Sequence, residues 1–130
     1  MYGLYDMSGG AWEYVMGNMV NSSGNFYSSS AGFGTAPDSK YYDSYAYSES
    51  TYTDHARGKL GDATRETLAN FGSITGGWYS DYAYLPGGVY SWFSHGGYAF
   101  DGTGAGVMAF SRHKGVTSAL DSFRSVLTAD

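Results

Sequence analysis

The sequence predicts a single α+β domain of short strands, one or two short helices and long irregular loops, and three observations carry that prediction. Glycine makes up 20 of the 130 residues and punctuates helices, because it loses the most backbone freedom on folding. Aromatics are abundant, with 14 Tyr, 7 Phe and 3 Trp, and such residues favour strands. The apolar segments are short and separated by Gly- and Ser-rich stretches with no sustained helical period. A hydrophobic fraction of 42% with 15% charged residues argues for a packed chain and against global disorder.

The elements follow in order. Ala11 to Met16 mixes aromatic and aliphatic residues with one charge. It suits a buried strand or the first turns of a helix, and the flanking Gly9, Gly10 and Gly17 favour a short strand. Residues 18 to 50 are polar, rich in Gly, Ser, Tyr and Asn; so long an irregular stretch in a compact domain is usually functional or disordered. Asp62 to Ala69 is the best helix candidate, with Asp62 as N-cap and Gly72 beyond its end. Pro86-Gly87-Gly88 marks a turn. Three strand-like segments follow it: Tyr90 to Phe93, Gly106 to Phe110 and Ser122 to Leu127.

Charge and composition narrow the function. A net charge of -5 with 7 Lys and Arg lacks the cations that release phosphate counterions, so nucleic acid is not an expected partner. The absence of cysteine removes disulfides, thiolate zinc sites and thiol catalysis together. No apolar run approaches the ~20 residues that span a bilayer, so direct membrane insertion of this segment is not expected. Tyr2-Gly3-Leu4-Tyr5 already reads as domain interior, which suggests the C-terminal part of a longer protein with any leader or anchor upstream.

Tyr2-Gly3-Leu4-Tyr5-Asp6-Met7-Ser8-Gly9-Gly10-Ala11-Trp12-Glu13-Tyr14 resembles the GLYDM-x-GN-x-WEW signature of formylglycine-generating (sulfatase-modifying factor) domains. Trp92 to Tyr98 is similar to that family's RGGS-type strand entry, and Ser122-Phe123-Arg124 to its closing GFR. The resemblance implies a C-type-lectin-like fold. It does not imply the activity: the family's paired cysteines would fall at or near Gly106 and Ser111, so neither copper nor the redox thiolate is expected. A wider resemblance, through Asp6 to Asn18, Lys40 to Asp43, Gly61 to Glu66 and Ser122 to Thr128, is to C-terminal domains of prepilin-like proteins of gut Firmicutes. The segment from Ser94 to Phe123 also resembles the variable region of diversity-generating retroelement proteins, with an aliphatic skeleton interrupted by polar and aromatic positions.

Candidate sites follow. The formylglycine-generating resemblance implies a structural calcium held by the carbonyls of Ser8, Gly9 and Ala11 and the carboxylate of Glu13; the alternative is a Glu13 that hydrogen-bonds loop amides and stabilises the fold. His55, His95 and His113 have no metal-ligand spacing, and Asp54-His55 has no nucleophile in a recognisable setting. His95 stands where the family has Arg and reads as a surface or groove residue. Gly102-Thr103-Gly104-Ala105-Gly106 is followed by a strand-like segment, not the helix N-terminus a phosphate loop requires. The Tyr-, Ser- and Gly-rich composition suits an adaptable binding surface. Its aromatics cluster at 41 to 52, 78 to 84 and 92 to 100, with about half expected in the core. Ser94, His95, Tyr98, Phe100, Asp101, Arg112 and His113 are the residues expected to face solvent and bind. The expected function is thus non-enzymatic binding or adhesion to a protein or glycan at a bacterial cell surface. The alternatives are a variable protein of a diversity-generating retroelement and a structural pilin-like subunit.

Overall fold

The computed structural model describes residues 10–26, 36–47, 52–59 and 63–123. They form a small mixed α+β domain around a five-stranded sheet. The strands are β1 (Trp12–Val20), β2 (Asp43–Ala46), β3 (Trp92–His95), β4 (Phe110–His113) and β5 (Asp121–Phe123), with one helical turn, α1 (Ala63–Glu66), and short 3₁₀ turns between them. Among the described residues no helix is long and apolar enough to cross a membrane.

The expected strand at Ala11 to Met16 is present but longer, and Gly17 does not end it. Instead the glycine lets neighbours close in: a Cβ there would stand 3.1 Å from the Phe93 Cβ and 3.2 Å from the Tyr45 ring. The β1–β3 register shifts between Val15 and Asn18, a bulge that re-aims the second half of the strand. One edge of β1 is shared by two parallel partners. Its first half pairs with β5 (Trp12 opposite Asp121, Tyr14 opposite Phe123) and its second half with β2 (Gly17 opposite Asp43, Met19 opposite Tyr45). Its other edge pairs antiparallel with β3, and β3 with β4.

Other expected boundaries moved, each for a local reason. The strand expected at Tyr90 starts two residues later, at Trp92, because Tyr90 closes the turn with reciprocal backbone bonds to Gly87 of 3.0 and 3.1 Å. The strand expected over Gly106 to Phe110 lies at Phe110–His113 instead; Gly106 to Ala109 is a turn closed by Ala109 N–H to the Gly106 carbonyl. The helix expected over Asp62 to Ala69 is one turn, since Ala69 and Asn70 both donate to the Gly76 carbonyl and pull the chain off the helical path. Its expected cap, Asp62, lies outside the described residues, as does the end of the last expected strand beyond Phe123.

Side chains alternate across a strand, so the sheet packs on both faces. On one face Tyr45, Phe93 and Phe110 stack in a column, with centroids 5.5 and 5.4 Å apart, joined by Ala83 and Leu85 and flanked by Val15 and Leu68. On the other, Phe26 and Trp92 pack with Tyr14, Val20 and Tyr42. His55 extends the first core. Its Nε2 lies 2.9 Å from the Ala83 carbonyl, its Nδ1 accepts from the Gly72 N–H, and its ring meets Phe71 and Phe110 edge-on. Both ring nitrogens thus meet backbone groups, and the histidine packs as part of the core. Phe110 is the pivot of this core, so Phe110→Ala is expected to cost about 3–5 kcal/mol in a denaturant titration; a cost under about 1 kcal/mol would contradict the stack.

Candidate functional site

Three of the seven expected binding residues lie between the end of β3 and the next 3₁₀ turn, Gly102–Gly104, and two more, Ser94 and His95, end β3 itself. Ser94 is the correction: it is 1% exposed, on β3 opposite Tyr14 and Ser111, where alternation turns it into the packed face. Tyr98, Phe100 and Asp101 form one turn. The Asp101 carboxylate accepts from the Tyr98 N–H at 2.9 Å and from the Trp12 indole, while the Asp101 N–H returns to the Tyr98 carbonyl at 3.0 Å. Burial raises the Asp101 carboxyl above the usual range, and those two donors oppose the rise. Phe100 stands at the tip, 86% exposed, its ring 5.9 Å from that of Tyr98.

The other expected residues separate from this turn. Arg112 is committed to packing: its guanidinium carbon sits 3.9 Å over the Tyr52 ring and 5.0 Å from Tyr90, and it donates to the Gly87 carbonyl. His95 is half-buried at the end of β3. It lies on the wall of a cleft of about 390 Å³ with Met16, Asp43, Thr64, Val107 and Met108, and its Nε2 is 3.4 Å from the Glu13 carboxylate across the β1–β3 pair.

That contact bears on calcium. The expected ligands Ser8 and Gly9 lie outside the described residues. Calcium takes 6–8 oxygens, and the described residues gather no group of three or more His, Asp or Glu that could hold a metal. Of the expected set they include only Glu13, whose carboxylate faces the His95 imidazole, and Ala11.

His113 joins a cluster that sequence reasoning missed. The Tyr14 hydroxyl hydrogen-bonds His113 Nδ1 and also donates to the Val116 carbonyl at 3.3 Å. On the far side of the ring, Nε2 lies 3.2 Å from the Asp121 carboxylate, whose side chain is 3% exposed. The order of β1, β4 and β5 brings Tyr14 to a histidine 99 residues later in the sequence and to the Asp121 that follows it, and no local spacing announces the cluster. Beside them opens a cleft of about 340 Å³ bordered by Tyr14, Thr117, Ser118, Asp121 and Phe123. Burial, and then the Asp121 charge, push the Tyr14 hydroxyl up to about 12, so it serves as a neutral hydrogen-bonding group and not as a phenolate nucleophile.

Compared with known proteins, the chain matches no family model, no curated protein and no solved structure.

The Tyr14 arrangement sets an alkaline limit. The folded chain holds this proton up to about 12 against an ordinary value of 10.0, so its contribution is intact below about pH 10 and lost as pH rises through 12. Tyr84, also raised by burial, adds to the same slope. Melting temperatures measured from pH 9 to 12 should fall for the wild type and fall less steeply for Tyr14→Phe; identical slopes would show that Tyr14 is not so held.

Proposed function

We propose that this domain is a non-enzymatic binding or adhesion module that engages a protein or glycan through the turn bearing Tyr98, Phe100 and Asp101. The observation that supports this reading is Phe100, a large apolar side chain 86% exposed on a turn tied by the half-buried Asp101 carboxylate, which accepts from the Tyr98 N–H. An aromatic held out on a rigid turn contributes contact area while little freedom remains to be lost on binding. His95 and Gly96 lead the chain from β3 into this turn, so the sheet sets its orientation. The C-type-lectin-like type of the fold and display on a bacterial surface belong to the same proposal and rest on the sequence resemblances. A glycan and a protein partner are both compatible with an aromatic beside a carboxylate, since each supplies apolar faces and hydrogen-bond donors.

The test is a panel of immobilised glycans and cell-surface proteins probed with labelled wild-type domain and with Phe100→Ala. For any ligand the wild type retains, the variant should bind at least roughly tenfold more weakly, the loss typical of a binding hot spot, with its melting temperature unchanged. Equal binding by both would remove this turn from the interface.

A further inference from the structure

A second aromatic surface stands apart from the expected binding residues. Trp78 and Tyr79 are 54% and 82% exposed, and their rings lie 5.2 Å apart at 32° to one another. The backbone beneath them is strained: Tyr79 and Ser80 have φ of 56° and 69°, a left-handed region in which non-glycine residues are uncommon. Two such residues in succession persist only where surrounding bonds hold them, and such outliers cluster at ligand sites. Here Gly77 and Asp81 clamp the turn, with Gly77 N–H to the Asp81 carbonyl at 3.1 Å and Ser80 N–H to the Gly77 carbonyl at 3.1 Å.

The turn opens onto a cleft of about 470 Å³ lined by Trp78, Tyr79, Asp81, Gly106, Val107 and Met108. Asp81 is 7% exposed, and its carboxylate accepts from the Met108 N–H. It lies directly on Gly106, where a Cβ would meet a carboxylate oxygen at 2.0 Å. The rest of the wall is apolar or aromatic, and among the described residues no Lys or Arg lines the cleft. A buried carboxylate without a cation beside it is costly, and ordinarily such groups are paired.

We propose that this cleft binds a quaternary or multiply methylated ammonium group, with Trp78 and Tyr79 supplying ring faces and Asp81 the counter-charge. Such a cation is attracted by aromatic faces, Trp most of all, and its apolar methyl periphery suits walls made of Val107 and Met108. Unlike a sugar, it asks for no array of donors and acceptors, and the side chains here offer one carboxylate, one indole N–H and one phenol. The chain's net charge of -5 also favours the approach of a cation. The ligand's source is a choline headgroup or a methylated lysine, which share this chemistry.

The experiment titrates the intact domain with tetramethylammonium chloride by isothermal titration calorimetry, with the backbone amide resonances of Tyr79, Val107 and Met108 as a second readout that survives replacement of Trp78. Sodium chloride at equal ionic strength, ammonium chloride and methyl glucoside serve as controls. Saturable binding by tetramethylammonium, weakened at least roughly tenfold in Trp78→Ala and in Asp81→Asn, is the expected result. Trp78 is exposed, so its replacement should leave the melting temperature unchanged, and Asp81→Asn keeps an oxygen for the Met108 N–H. Choline and a trimethyllysine peptide then compete, and the tighter of the two identifies the source. No saturable response, an equal response to ammonium or methyl glucoside, or binding unaffected by both substitutions would overturn the proposal. Because Phe100→Ala leaves these residues untouched, it should bind tetramethylammonium as the wild type does. The fate of this site is therefore read separately from that of the Phe100 turn.

Discussion

The backbone ladder of β1 is the constraint on which the other features depend. One strand of nine residues carries β3 along one edge and divides the other between β5 and β2, both parallel to it. β2 follows β1 in the chain and runs parallel to it, so the two cannot be joined by a tight turn and residues 21–42 make the connection; β5 arrives from β4 across residues 114–120. Successive β1 side chains then hold those connections in place. Trp12 reaches Asp101 beneath the Phe100 turn, Glu13 meets His95, and Tyr14 reaches His113 and through it Asp121. Gly17, by having no side chain, admits Phe93 and Tyr45. A register slip of one residue would turn every one of these groups to the wrong face.

Two exposed aromatic turns grow from this frame by the same physical device. Asp101 ties the turn that presents Phe100, and Asp81 lies beneath the turn that presents Tyr79; burial raises the carboxyl of each above the usual range. Each carboxylate, half-buried at Asp101 and buried at Asp81, holds a loop through a backbone N–H, that of Tyr98 and that of Met108 respectively. The two turns also share a support. Tyr82, just after Asp81, donates its N–H to the Gly104 carbonyl at 2.9 Å, and the Gly104 Cα rests against the Tyr82 ring.

Much of the fold class was legible in the sequence and much of the site was not, for identifiable reasons. Glycine and aromatic content pointed to short strands and loops because those preferences are local. The first strand was found, but its end was placed at Gly17, since a glycine required by tertiary contact is indistinguishable in sequence from one that ends an element. The 106 to 110 segment was assigned as strand on its apolar content, whereas Val107 and Met108 belong to a turn that walls a cleft beside Asp81. Ser94 looked like a surface residue beside Gly-Gly, and only its pairing with Tyr14 and Ser111 places it inside. Phe100, expected to face solvent because glycines and polar residues surround it, is exposed, whereas Asp101 is half-buried by the hydrogen bonds it accepts within the turn. Trp78 and Tyr79 were noted as aromatic, but nothing near them in sequence shows the left-handed backbone or the buried Asp81. The Tyr14–His113–Asp121 cluster depends wholly on strand order, which no local pattern encodes.

The most direct test of the account is therefore the divided edge of β1, measured by nuclear Overhauser contacts in solution. The account predicts interstrand contacts from Trp12 and Tyr14 to Asp121 and Phe123, and from Gly17 and Met19 to Asp43 and Tyr45, together with contacts from Glu13 to His95 on the opposite edge. Contacts of Trp12 to Tyr14 with β2, or the absence of any contact with β5, would contradict the strand order and with it both proposed binding turns.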